Sequence, residues 1–244
     1  MSETIWHDLE CGRYVEDLPL WSQLAAELVP EGQAVLDVGA GTGRVTLALA
    51  RGGHRVVALD RSQELLLELE RRAGVLPVET VCADAREFRL SGRAFPLIIA
   101  PMQTVQLLGG PAGQAAFLRC ARMHLAPGGI VAVALAATED FEEFQWHDGD
   151  PSPLPDIAEI DGRAYFSQPT AVRRNGDAFV LERRREIVDQ GGTRTSSVDT
   201  IALDVLSVAE LQDLGTRAGL RPRGVRAIRP TDEHIGSEVV ILGA

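Results

Sequence analysis

The chain has 244 residues, 45% hydrophobic and 24% charged, with a formal net charge of −11 and an isoelectric point near 4.9. This is a globular composition, long enough for one large or two small domains with a real core. The acidic balance argues against DNA or RNA as a partner, because phosphate binding needs a basic footprint.

No apolar run reaches the length of about 18 residues that a membrane span needs. The start, Met1-Ser2-Glu3-Thr4-Ile5-Trp6-His7-Asp8, lacks a basic segment and an apolar core of the export type, so a cytoplasmic location is expected. Cys11, Cys82 and Cys120 are too few and too scattered for a zinc pattern or a disulfide framework, and no metal is expected. Cys82 and Cys120 fall on apolar faces and are expected to be buried packing residues.

In chain order, a first helix is expected from Glu16 to about Val29, with Pro19 suited to its first turn. Ala34-Val35-Leu36-Asp37-Val38 reads as a buried parallel strand. It runs into Gly39, Gly41 and Gly43, and a patterned helix follows from Arg44 to Ala50. Glycines at such a strand-to-helix turn let backbone approach a ligand closely, and the helix N-terminus offers free N–H groups. Further strands are expected over Arg55–Asp60, Pro77–Cys82, Phe95–Ala100 and Ile130–Ala136. Helices are expected over Ser62–Arg72 and Pro111–Leu125, the latter stopped sharply at Ala126-Pro127-Gly128-Gly129. Right-handed crossovers then place helices on both faces of one sheet.

The alternation breaks at Glu139 in an acidic, aromatic and proline-rich stretch with Phe141, Phe144, Trp146, His147, Pro151, Pro153 and Pro155. From Gly162 to Leu203 the period is two, with turns at Asn175-Gly176 and Gly191-Gly192. Antiparallel strands are expected over 163–168, 170–174, 178–189 and 193–203. Arg183-Arg184-Arg185 reads there as a solvated, salt-bridged strand face. Ser207 and Glu210 form a capping box opening a helix that ends at Ala218-Gly219-Leu220. Strands over Arg221–Ile228 and Glu238–Leu242 complete seven in the sheet.

Glycine spacing separates two ligand classes. A dinucleotide fingerprint would put its third glycine at position 44, which is Arg44. The form Asp37-x-Gly39-x-Gly41-x-Gly43 instead resembles the first motif of class I S-adenosylmethionine-dependent methyltransferases. The Pro127-Gly128-Gly129 turn extends the resemblance past the ligand motifs, and it covers roughly residues 32–136 and 207–244. The fold it implies is a Rossmann-like, doubly wound seven-stranded α/β sheet with the last strand antiparallel, plus a small antiparallel β insertion. The expected organisation is an N-terminal helical lid over 1–31, a core over 32–138 and 204–244, and the insertion over 139–203, above the active-site cleft.

The resemblance implies S-adenosylmethionine as cofactor, with Asp37, Gly39, Ala40, Gly41 and Gly43 in its glycine turn. Asp60 and Arg61 fall at the ribose, Asp84 and Ala85 at the adenine, and Pro101 and Met102 where methyl transfer takes place. Tyr14 is expected as a lid residue near the methionine end. Phe144, Trp146 and Gln103 are candidates for the acceptor pocket, and His147 and His234 for a general base if the acceptor must lose a proton. Pro96 departs from the family, which often has Asp there. Pro101-Met102-Gln103-Thr104 also lacks the signature of enzymes that methylate amides or base amino groups. The expected partner is a small-molecule acceptor methylated on N or O, with no nucleic acid, no membrane, and a homodimer through the insertion.

Plainer readings stand beside these. Asp60 could cap the Ser62–Arg72 helix, and Asp84 a short turn. Trp21 suits packing under the lid, and Phe144 and Trp146 suit packing between insertion and core. His7, His54 and His124 are less suited as bases than His147 and His234. Three functional readings remain open: a small-molecule methyltransferase, a non-catalytic cofactor-binding module, and a nicotinamide oxidoreductase, which the glycine spacing disfavours.

Overall fold

Five apolar runs pair in parallel and two more close the sheet from one side. The computed structural model describes residues 2–137, 141–147, 153–231 and 234–244; Glu139, Pro151 and the expected 138/139 boundary lie outside them. Its elements begin with α1 (Ser2–Cys11), α2 (Leu18–Leu28), β1 (Ala34–Val38), α3 (Arg44–Arg51), β2 (Arg55–Asp60), α4 (Gln63–Ala73) and β3 (Val78–Cys82). They continue with β4 (Phe95–Ala100), a 3-10 turn (Thr104–Leu107), α5 (Gly110–His124) and β5 (Leu125–Ala136). Next come β6 (Phe144–Gln145), β7 (Asp156–Ile160), β8 (Arg163–Asn175), β9 (Ala178–Val188) and β10 (Arg194–Asp204). The last three are α6 (Val208–Arg217), β11 (Arg221–Ile228) and β12 (Ser237–Gly243).

The main sheet has the order β11-β12-β5-β4-β1-β2-β3, with β12 antiparallel to both β5 and β11. The order reverses at β1, which pairs with β2 on one side and β4 on the other. A crevice opens outside the strand tips at such a point. Alternate residues feed the two faces. Leu36, Val38, Ile98 and Val133 pack with Phe117 and Leu118 of α5, while Val35, Leu97, Ile99 and Ala132 pack with Trp21 of α2 and Leu49 of α3. Pro96 sits at a register irregularity between Phe95 and Leu97, where a missing N–H is tolerated.

Several expectations are corrected. The first helix in the chain is α1, which was not anticipated; its Ile5, Trp6 and Leu9 follow a helical period, but over less than three turns. The strands expected at 163–168 and 170–174 are one strand, β8, because Pro169 falls at a bulge opposite β9 rather than ending the pairing. Two further strands, β6 and β7, pair with β8, making a second sheet of five strands. Pro127-Gly128-Gly129 is part of β5 rather than a helix stop, since α5 already ends at His124. Cys120 is buried, but Cys82 at the tip of edge strand β3 is exposed. Ser207 and Glu210 do form the reciprocal capping box of α6.

Arg183-Arg184-Arg185 is not a uniformly solvated face. Strand alternation sends Arg184 one way, its guanidinium 5.2 Å from the Trp146 ring, and sends Arg183 and Arg185 the other way, toward α1. Glu10 of α1 receives Arg185 through Nε and NH2 at 2.8 and 2.7 Å and the Ser167 hydroxyl at 2.6 Å. Arg183 is buried and pairs with Asp156 while donating to Ser167 Oγ at 2.8 Å. The Trp6 ring meets Tyr165 edge-on at 5.5 Å. On its other flank α1 is tied to the main sheet domain, with Asp8 accepting from Arg72 at 3.0 Å and from Thr42 at 2.7 Å. One short helix therefore joins the two sheets.

Candidate active site

The glycine turn is built by backbone needs. Gly39 and Ala40 both donate their N–H groups to the Leu59 carbonyl, at 2.8 and 3.1 Å, which folds the chain back over β2. Gly39 has φ +78°, and a Cβ there would lie 2.6 Å from the Thr104 side chain. Gly41 has φ +55°, and a Cβ there would collide with the His7 imidazole. Both positions demand glycine for conformation and for space.

The acids at the strand tips are held in place. Asp60 accepts from Gly41 N at 2.8 Å with Oδ2 and from Ser62 N at 2.9 Å with Oδ1. Ser62, not Asp60, caps α4. Asp84 accepts from the Arg86 backbone N–H at 2.8 Å and pairs with its guanidinium at 2.6 Å, so the turn-capping reading is realised. The Arg86 hydrogen bonds hold the Asp84 carboxyl below the usual range despite the opposing effect of desolvation.

Asp37 is fully buried, and its Oδ2 receives the Thr46 hydroxyl at 2.6 Å. Its Oδ1 has no hydrogen-bond partner among the described residues. Burial pushes this carboxyl up to about 6; Thr46 and Arg44 oppose the rise, and the charges of Asp60 and Asp17 add to it. An orphaned carboxylate oxygen beside an open glycine turn is a place for a cationic, hydrogen-bond-donating group.

These groups wall one cavity of about 650 Å³. Of the expected site residues, the cavity wall carries Asp37, Gly39, Ala40, Asp60, Arg61, Asp84, Ala85, Pro101, Met102 and Gln103. Met102 has φ +54°, a strained conformation for a side chain of its size, as is frequent where a ligand is gripped. Gly41 and Gly43 are not on the wall: Gly41 is tied to Asp60, and Gly43 (φ +95°) is the N-cap of α3.

Other candidates lie off the wall as well. Tyr14 is buried in the α2 layer, where its ring meets His234 at 5.0 Å and Arg44 at 5.1 Å. The apolar layer beneath α2 takes that ring in. His234 also packs around Thr231. His147 follows β6 and is exposed, Phe144 is paired opposite Val172, and Trp146 packs on Arg184. The short β6 pairing holds this segment on the insertion sheet rather than over the cavity. Trp21 is fully buried, as the packing reading had it.

Three contributors were not anticipated. From α1, Glu3, Trp6, His7, Glu10 and Cys11 face the cavity at helical spacing. From the insertion come Arg185 and Asp199 to Ala202, and from the 3-10 turn Thr104 and Leu107, with Leu108 just after it. Arg44 also lines the cavity and donates to Asp17 at 2.7 Å, filling the position where a dinucleotide site needs glycine. Among the described residues no cluster of His, Cys, Asp and Glu could hold a metal, and no helix is long and apolar enough to cross a membrane.

The fold and the glycine turn resemble those of the class I S-adenosylmethionine-dependent methyltransferases. Residues 35–129 match the family model of a methyltransferase domain. A cypemycin N-terminal methyltransferase from a Streptomyces species is 37% identical over 120 residues, 49% of this chain and 47% of that protein. The chain spans about half the length of the curated relatives it matches. A sugar N-methyltransferase from Streptoalloteichus superposes with a TM-score of 0.76 at 20% identity, covering 99% of this chain and 92% of the other. An S-adenosylmethionine-bound amino pentose methyltransferase from Micromonospora echinaspora reaches 0.67 at 21% identity, covering 93% and 89%.

Proposed function

We propose that this chain is an S-adenosylmethionine-dependent methyltransferase acting on a nitrogen or oxygen of a small-molecule metabolite. The observation that carries this is the cavity at the sheet's reversal point, where the glycine turn, Asp37, Asp60 and Asp84 meet on one wall. Asp60 has carboxylate lone pairs left for the two ribose hydroxyls after its two backbone bonds. Asp84 and the Ala85 backbone would take the adenine, and Asp37 Oδ1 suits the ammonium of the amino-acid end. The bound cofactor would supply an activated methyl carbon, whose bond to sulfur breaks as the acceptor lone pair forms the new bond and the sulfur leaves as a neutral thioether.

The protein's share is then alignment and exclusion of water, for which Met102, Gln103 and the α1 roof are placed. Neither His147 nor His234 stands on the wall, so a base from either is not part of this reading. The enzyme is proposed as cytoplasmic. A homodimer would form through the outer edge of β10, exposed from Arg194 to Val198 and open to further strand pairing.

The test is calorimetric titration with S-adenosylmethionine and S-adenosylhomocysteine, with NADH as control. Saturable binding of the adenosyl compounds alone is expected; binding of NADH alone, or of none of them to folded protein, would sink the reading. The same titration carries a pH prediction. A cation against Asp37 favours its ionised form, so binding should release a proton near pH 6 and tighten as pH rises from about 5 to about 7. The measured heat should then depend on the buffer's ionisation heat, and Asp37→Asn should abolish that dependence.

A further inference from the structure

We propose that the wall of the cavity built by α1, the 3-10 turn and β10 is an acceptor subsite for an amine carried as its ammonium ion, and that Asp199 selects it. This rests on the methyltransferase reading and narrows its acceptor from nitrogen or oxygen to a basic nitrogen; the bound ammonium passes one proton to solvent by way of the partly exposed Asp199 carboxylate, and the lone pair so freed attacks the methyl carbon.

The apolar part of this wall is supplied by Trp6, Leu107, Leu108, Ile201 and Ala202. Apart from Glu3, which accepts from the Ser62 hydroxyl at 2.8 Å, the wall's charge comes from the cluster that fastens α1 to the insertion. Glu10 is saturated, with Arg185 and Ser167 donating to its two oxygens and Arg183 Nε at 3.6 Å. Arg183 is also committed to Asp156. Arg185 spends its remaining nitrogen, NH1, on Asp199 Oδ1 at 2.9 Å.

Three carboxylates and two guanidiniums thus leave one surplus negative charge. The only member of the cluster with an oxygen to spare on the wall is Asp199, whose side chain is 31% exposed. Its Oδ2 offers lone pairs to a donor, and the Arg185 charge is already matched by Glu10 and Asp199 on its two sides. A carboxylate or phosphate on the acceptor would be repelled here, whereas an ammonium on an apolar body meets a hydrogen-bond acceptor of opposite charge.

Benzylamine, benzyl alcohol and benzoate share one ring and differ in charge, so they serve as probes. Each would be titrated into the protein saturated with S-adenosylhomocysteine at neutral pH and followed by NMR. Benzylammonium is expected to bind about tenfold more tightly than benzoate, with the alcohol between them. Asp199→Asn keeps an acceptor for Arg185 and should bring the three within about twofold, with S-adenosylhomocysteine affinity and melting temperature unchanged. Asp199→Ser serves as a second variant should the first fail to fold.

Equal or tighter binding of benzoate, an ammonium preference that survives both substitutions, or no binding of any probe would overturn the proposal. A failure of S-adenosylhomocysteine to bind would count against the cofactor reading alone. The ammonium preference would still be measured on the unloaded protein and judged by the same comparison.

Discussion

Replacing Asp60 by alanine is expected to weaken S-adenosylmethionine binding about a hundredfold. The two ribose hydroxyls would each lose a bond to an ionised acceptor, roughly 3 kcal/mol together. The substitution also frees the Gly41 and Ser62 amides, so the glycine turn loses the contact that holds it against β2. Asp60→Asn keeps one acceptor oxygen and should show a smaller loss. Calorimetry on both variants, with thermal melting to confirm that they fold, checks this; unchanged affinity in a folded Asp60→Ala protein refutes the ribose assignment.

The second large effect is on stability. Glu10→Ala would leave the half of Arg183 and Arg185 that faces α1 without its counter-charge, and the Glu10 side chain is only 8% exposed. Breaking such a buried pair from one side costs about 3 kcal/mol. Burial opposes ionisation of Glu10, but the Arg185 and Ser167 hydrogen bonds and the two guanidinium charges outweigh it and hold the carboxyl below its usual value of 4.5. The unfolded chain therefore binds the proton first. The contribution is complete above the unfolded-state value and fades as pH falls through the lowered folded-state value. Denaturant unfolding should show wild type and Glu10→Gln converging in acid and diverging toward neutral pH; a constant gap at every pH would show that the charge of Glu10 is not what stabilises the junction.

Much of this molecule was legible in its residues because the signals are local. The runs at Ala34–Val38, Arg55–Asp60 and Phe95–Ala100 can be buried on both faces only as central parallel strands, and they are found there. Gly39, Gly41 and Gly43 announce a turn whose φ values only glycine accepts without strain, and all three are positive. The acids at strand tips followed from the same periodicity, since a strand's carboxyl end marks where a ligand sits in such a sheet.

What was not legible depends on which surfaces meet. Nothing local says that β8 continues through Pro169, because a bulge is decided by the neighbouring strand. Nothing local distinguishes Arg183 and Arg185 from solvated arginines; their burial follows from Glu10, more than 170 residues away in the chain, arriving on α1. Tyr14 illustrates the same limit. Its place ahead of α2 suggested a lid residue, yet the apolar layer of Trp21, Leu24 and Val35 takes the ring in.

The sequence by itself determined the sheet and the placing of acids and glycines at its strand tips, for strand burial and glycine turns are set by residues a few positions apart. The tertiary structure alone decided the roof of the cavity. Trp6, His7 and Glu10 come from α1, and Arg185 and Asp199 from the β9–β10 pair far along the chain. The Glu10–Arg185–Asp199 chain of ion pairs forms only once α1 has joined the two sheets.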